Sequence, residues 1–234
     1  MKKKSTAIVL AAGMGSRMKS TVAKQYMLLC GKPVLFYSLA AFEQSEVDDI
    51  ILVVGKNEEE YCKKEIVDRY GITKVRAIVT GGSERYLSVI NGLDQISETD
   101  YVLVHDGARP FVTPSMIAGL LDRLKEKEAL VVGVPSKDTV KLVDASGVVR
   151  ATPDRKTVYN IQTPQAFSYP LLRKAYDRLL KEESVTVTDD AMVVEQMLGT
   201  QVAVVMGSYQ NIKITTPEDM IIAEAFFKMQ RDCE

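Results

Sequence analysis

Two rhythms of apolar and polar positions alternate along this chain. Short β-rich runs fall at residues 7–11, 50–54, 75–79, 101–104, 130–134 and 202–205, and several are apolar at every position. A strand with one wet face alternates, so runs without alternation predict strands buried on both faces, in a mostly parallel sheet under helices. Helical spacing fills the gaps. Residues 33–44 open with Pro33 and set Leu35, Leu39 and Phe42 on one face. Asn57 is placed to cap 58–69, and Ser83 to cap a helix carrying Leu87, Ile90 and Leu93. Thr113-Pro114 and Thr216-Pro217-Glu218-Asp219 open two more. From residue 6 to about 134 this predicts the α/β class, doubly wound.

The rhythm then breaks. Residues 136–162 hold short β-prone pieces, Thr139–Val143, Val148–Ala151 and Val158–Ile161, around the turn Asp144-Ala145-Ser146-Gly147. We expect a hairpin inserted into one domain that spans 1–234. A lone hairpin is marginal in water, so this arm needs a surface to lie on, either its own domain or a second subunit.

Composition removes several classes of function. The 234 residues are 46% hydrophobic and 26% charged, enough apolar content for a core without metals or disulfides. Thirty Lys and Arg against 31 Asp and Glu leave a net charge of −1, without the basic excess of a nucleic-acid binder. Three scattered cysteines (Cys30, Cys62, Cys233) and one histidine, His105, argue against a disulfide framework or a His-rich zinc site, and fit a reducing cytoplasm. Met1-Lys2-Lys3-Lys4 before Ala7–Ala12 imitates a signal peptide, but the apolar run is short and Arg17 and Lys19 follow at once. No run approaches a membrane span.

Candidate chemistry gathers where strands end. Ala11-Ala12-Gly13-Met14-Gly15-Ser16-Arg17 follows the first strand, and small residues there let backbone N–H groups approach phosphate. The dinucleotide and P-loop glycine patterns both require glycine where Met18 stands. What remains is G-x-G-x-R with Lys24 seven residues on. Two fixed positive charges beside a glycine loop suit a triphosphate, and a tight turn with solvated basic residues explains the segment equally well. Gly81-Gly82-Ser83 offers a second place for ligand to meet backbone, although an ordinary βα turn accounts for it better on its own, and Ser88, one turn into the next helix, could face either way. At the end of the fourth long run, Asp106, Gly107 and Arg109 offer an acceptor and a forked donor where open α/β sheets bind ligands. His105 reads as a satisfied core residue. Gln162-Thr163-Pro164-Gln165 reads as a polar turn, Thr186–Asp190 as a helix cap, and Asn211–Thr215 as a short strand carrying Lys213.

Taken in order, L-A-A-G-x-G-x-R-M, K-Q, G-G-x-x-R-x-x-S-V-x-N-G-L, V-H-D-G-A-R-P, K-D-T-x-K, Q-T-P-Q-x-F, T-D-D-A and N-I-K-I-T-T-P-E-D make the chain resemble the 2-C-methyl-D-erythritol 4-phosphate cytidylyltransferase family from residue 7 to about 225. The resemblance implies a Rossmann-like nucleotidyltransferase using CTP and 2-C-methyl-D-erythritol 4-phosphate. It also implies Mg²⁺ or another divalent cation carried mainly on the CTP phosphates, and a homodimer joined through the arm. It places Arg17, Lys24 and Lys213 on the reacting phosphates. Ala11, Ala12, Gly13, Gly82, Ser83, Ser88, Asp106 and Gly107 fall in the nucleotide pocket. Asp106, Arg109, Thr163 and Lys213 fall in the acceptor site, with Thr139 and Arg155 donated by the partner subunit. One departure stands out: Ala23 precedes Lys24 where the family usually has proline, which frees φ and implies a less pre-organised loop. A ribitol-5-phosphate cytidylyltransferase is the nearest alternative and a sugar-1-phosphate nucleotidyltransferase a further one. A nucleotide-binding protein without turnover is the alternative from another class.

Overall fold

The computed structural model of the protein describes residues 3–13, 18, 22–184 and 186–231. In chain order its strands are β1 (Ser5–Ala11), β2 (Leu28–Leu29), β3 (Lys32–Pro33), β4 (Asp49–Val54), β5 (Val75–Thr80), β6 (Tyr101–Asp106), β7 (Ala129–Pro135), β8 (Leu142–Val143), β9 (Val149–Ala151), β10 (Tyr159–Ser168) and β11 (Ala203–Met206). Its helices are α1 (Val34–Glu43), α2 (Glu59–Cys62), α3 (Arg85–Leu93), α4 (Pro114–Arg123), α5 (Tyr169–Leu179), α6 (Asp190–Leu198) and α7 (Pro217–Arg231). Seven strands form one sheet in the order β11-β7-β10-β6-β1-β4-β5. Only β10 runs antiparallel to its neighbours in that sheet, so the expected doubly wound, mostly parallel architecture is present.

The unbroken apolar runs are explained by the two faces of this sheet. Ala7, Val9, Leu52 and Leu103 point to one side, against Leu35, Leu39 and Phe42 of α1 and Ile117 and Leu120 of α4. Ile8, Val53, Val102 and Val104 point to the other, against Val89 and Leu93 of α3 and Leu172, Tyr176 and Leu179 of α5. Each such aliphatic side chain, fully buried, stabilises the fold by about 1.5–3 kcal/mol. A third cluster seats α7 on the β2–β3 hairpin, where Phe111 meets the rings of Phe226 and Phe227.

Several local expectations are corrected. Asn57 does not cap a helix; it takes a left-handed φ of 65° in the turn before α2, which passes into a π-helical stretch at Lys63–Asp68. The cap position of α3 belongs to Glu84, not Ser83. Thr113 does cap α4, accepting from Met116 N at 3.2 Å, and Asp219 accepts from Thr215 N and Thr216 N at the start of α7. The piece 158–161 is no part of a free hairpin. Tyr159 opens the long strand β10, which pairs with β7 inside the main sheet, so the projecting arm is the shorter β8–β9 hairpin and its flanks. Gln162–Gln165 is not a turn but an irregularity within β10, with a cis Thr163-Pro164 bond. Asn211–Thr215 is not a strand and joins no ladder, although Ile214 N bonds to the Ala108 carbonyl at 2.8 Å.

Candidate functional site

Parallel strands that end together leave their loops in one row. The ends of β1, β4 and β5 surround a cleft of about 670 Å³. Ala11, Ala12, Gly13, Lys24, Gly82, Ser83, Ser88, Asp106 and Lys213 all line it, so most of the expected nucleotide residues converge. Close approach explains the paired glycines. A Cβ on Gly81 would collide with Ala12 Cβ and Ser88 Oγ, and one on Gly82 with Leu87 Cβ. Ser88 faces inward and accepts from Gly82 N at 3.0 Å, fixing that loop to α3. Gly107 lies behind the cleft, where its N–H bonds to the Leu10 carbonyl at 2.8 Å and a Cβ would meet Leu35. Arg17 lies outside the described residues, as does Gly15.

A second cavity of about 240 Å³ opens beyond Asp106, lined by Arg85, Asp106, Arg109, Gln162, Thr163, Thr188 and Lys213 among others. It brings together the four acceptor residues expected from one chain. Thr139 and Arg155 line neither cavity; both are exposed near the arm, with Arg155 Nη1 3.5 Å from the Lys137 carbonyl. Arg85, Asp106 and Lys213 belong to both cavities and form the wall between them.

That wall is an alternating row of charges. Lys213 Nζ lies 2.8 Å from Asp106 Oδ2, and Arg85 Nε 3.5 Å from Asp106 Oδ1. Arg85 Nη2 continues to Asp190 Oδ2 at 2.7 Å, and the Tyr176 hydroxyl donates to Asp190 Oδ1 at 2.6 Å. Burial alone would raise the Asp106 carboxyl, but Arg85 and Lys213 outweigh it and hold it well below the usual carboxylate range. Burial opposes the charge on Arg85, yet Asp190 and Asp106 more than restore it. Arg109 donates from Nη1 to the Asn211 carbonyl at 2.8 Å, while its buried Nε has no partner among the described residues.

Arg85, Asp190, Gln25 and Glu58 were not among the expected site residues. Gln25 is buried and donates from Nε2 to the Ala11 carbonyl at 2.6 Å, and Glu58 lines the first cleft. The cap reading of Thr186–Asp190 holds for Asp189, which accepts from Met192 N at 2.9 Å, but not for Asp190, which is wholly buried. The doublet itself was the signal: one carboxylate caps a helix, and the second is left to find another partner.

His105 is fully buried, its Nδ1 3.1 Å from Thr163 Oγ1, which also accepts from Asp106 N at 3.0 Å. It thus supports the strand end from inside rather than facing either cavity. Burial pushes its pKa from 6.5 down to about 3. Between those values the unfolded chain holds more protons than the folded one. Stability therefore falls as pH drops through that window, by up to about 1.4 kcal/mol per pH unit. His105→Asn is expected to flatten this part of the acid limb, read from urea unfolding at neutral and acid pH; an unchanged slope would refute it.

No helix among the described residues is long and apolar enough to cross a membrane. The family model described as 2-C-methyl-D-erythritol 4-phosphate cytidylyltransferase matches residues 5–229. A relative of that name from Lachnoclostridium phytofermentans is 57% identical over 229 residues, 98% of either chain. The crystal structure of 4-diphosphocytidyl-2C-methyl-D-erythritol synthase from Anaerococcus prevotii matches with a TM-score of 0.86 at 38% identity, covering 97% of this chain and 96% of that one. A 2-C-methyl-D-erythritol 4-phosphate cytidylyltransferase from Thermus thermophilus matches at 0.78 and 29% identity, covering 97% of this chain and 100% of that one.

Proposed function

The chain belongs to the 2-C-methyl-D-erythritol 4-phosphate cytidylyltransferase family, and from that premise we propose that it transfers the CMP unit of CTP to 2-C-methyl-D-erythritol 4-phosphate. The products are 4-CDP-2-C-methyl-D-erythritol and pyrophosphate, and the step serves isoprenoid precursor biosynthesis. The observation that carries this reading is the Lys213–Asp106 pair, which stands between a glycine-lined cleft and a smaller polar cavity.

The reaction needs little covalent help. A phosphate monoester oxygen, anionic at neutral pH, attacks the α-phosphorus of CTP in line with the departing pyrophosphate. No general base is required, which suits a buried, neutral His105. The work is alignment and charge neutralisation, and alignment alone supplies up to roughly 7–11 kcal/mol of such a barrier. Lys24 lines the nucleotide cleft and takes the α-phosphate side, joined in this proposal by Arg17. Arg109 lines the smaller cavity and offers its guanidinium to the acceptor's phosphate, and Lys213 stands where that phosphate meets the nucleotide. Asp106, held ionised, fixes Lys213 until a phosphate replaces it.

Mg²⁺, or another divalent cation, is part of the proposal as a companion of the triphosphate, whose charge it would offset. Among the described residues no three His, Cys, Asp or Glu side chains gather to hold a metal, and both Asp106 oxygens face basic side chains. The ion would be held by phosphate oxygens rather than by a protein cage. A homodimer is proposed from the arm. Leu142, Val143, Val148 and Val149 are about half exposed there, which supports a second copy covering them and receiving Thr139 and Arg155. A cytoplasmic setting is supported by the free thiols of Cys30 and Cys62.

Pyrophosphate release from CTP tests the whole reading. It is expected with 2-C-methyl-D-erythritol 4-phosphate and to be far slower with ribitol 5-phosphate. The reverse order would reassign the acceptor, and CTP binding without release from either would leave a nucleotide-binding protein.

A further inference from the structure

Lys24 stands at the head of a single 3₁₀ turn, Lys24–Tyr26, which is too short to fix a charge in space by itself. Ala23 before it takes φ −61° and ψ 137°, a conformation proline also adopts, but alanine does not lock it. The two residues that follow tie the turn down. Gln25 ties the turn to the end of β1 through the Ala11 carbonyl. Tyr26 ties it to the end of β4: its hydroxyl donates to Glu58 Oε2 at 2.6 Å, and the same oxygen accepts from Gly55 N at 2.9 Å.

The receiving carboxylate is itself held in advance. Glu58 N bonds to the Gly55 carbonyl at 3.1 Å, closing a turn in which Asn57 is left-handed. A Cβ on Gly55 would come within 2.6 Å of Glu58 Oε2, so only glycine lets the carboxylate fold back over its own turn. The Tyr26 hydroxyl also lies 3.1 Å from Cys62 Sγ, and its ring meets Tyr61 edge-on at 5.1 Å. The ring is therefore packed independently of the hydroxyl. Glu58 lines the nucleotide cleft, where a free carboxylate would repel a triphosphate; here one of its oxygens is turned onto two donors.

We propose that Tyr26 and Glu58 form a latch that positions Lys24 for the transferred phosphate. They are positioning residues and touch no reacting atom. The role at the phosphate rests on the cytidylyltransferase reading, whereas the latch itself does not. Tyr26→Phe keeps the ring and removes the bond. It is expected to lower kcat about tenfold, in keeping with a hydrogen bond to a charged group, while KM for the acceptor stays within about twofold. Glu58→Ala is expected to match it, and Glu58→Gln, which keeps an oxygen for Gly55 N and Tyr26, to restore most of the rate. In a Lys24→Ala background Tyr26→Phe is expected to change nothing further. The same loss in that background, or full activity in Tyr26→Phe, would overturn the proposal. Amide exchange at Tyr26 and Met27, measured without substrate, separates the latch from the reaction. Exchange faster by about tenfold in Tyr26→Phe supports the latch whatever the acceptor proves to be, and unchanged exchange refutes it.

Discussion

Lys24→Ala is expected to lower kcat by a factor of about 10²–10³, the loss typical of removing one donor from developing negative charge. Lys24 is only partly buried and lies in a short turn tied down by Gln25 and Tyr26. The turn is therefore retained in the variant, and the unfolding free energy is expected to change by about 1 kcal/mol at most. On the proposed reading CTP keeps the glycine-lined pocket around Ser88, so the loss belongs mainly to turnover and less to KM. Single-turnover pyrophosphate release at saturating CTP is the measurement. A variant that keeps kcat within about threefold would place the transferred phosphate away from Lys24.

Asp190→Ala is expected to be the most destabilising single change at the site, costing about 3–5 kcal/mol, because the partly buried Arg85 guanidinium loses its nearest partner and a buried hydrogen-bond network is broken. In a chain of this length that lowers Tm by roughly 10 °C. The Tyr176 hydroxyl, fully buried, loses its acceptor in the same step. Asp190→Asn keeps an oxygen for Tyr176 and is expected to cost less. In both variants Arg85 is left to Asp106 alone, so the wall between the cavities shifts and activity falls with stability. Urea unfolding of the two variants checks the order. A loss below about 1 kcal/mol in Asp190→Ala would show that Arg85 is anchored by something else.

Much of the fold was legible because burial on both faces leaves a mark in sequence: strands such as Ile50–Val54 lack alternation altogether. Thr113-Pro114 was legible because a cap and a first-turn proline act within four residues. Asn57, Ser83 and Thr163-Pro164 misled for different reasons. Asn57 is taken up by a local turn that Glu58 N closes on the Gly55 carbonyl, and α3 starts one residue later than Ser83 would cap it. Thr163 sits in β10 because the strand pairs with β6 and β7 on either side. The motif residues around the nucleotide cleft were legible as a set, since parallel strands deliver their C-terminal loops to one edge. The Arg85–Asp190 bond was not, for its partners lie 105 residues apart and no local pattern links them. Glu58 was hidden in an acidic run, Glu58-Glu59-Glu60, that reads as a solvated helix start.

The shared wall has a thermodynamic corollary. Arg85, Asp106 and Lys213 face both cavities, so a ligand in either one perturbs the same ion pairs. Occupancy on one side is thus written into affinity on the other, and linkage makes the factor identical in both directions. An anion that draws Lys213 off Asp106 from the nucleotide side changes the acceptor's dissociation constant by the ratio with which the acceptor changes the nucleotide's. The coupling factor alone therefore gives neither substrate precedence, and order of addition is left to each substrate's own affinity and rate.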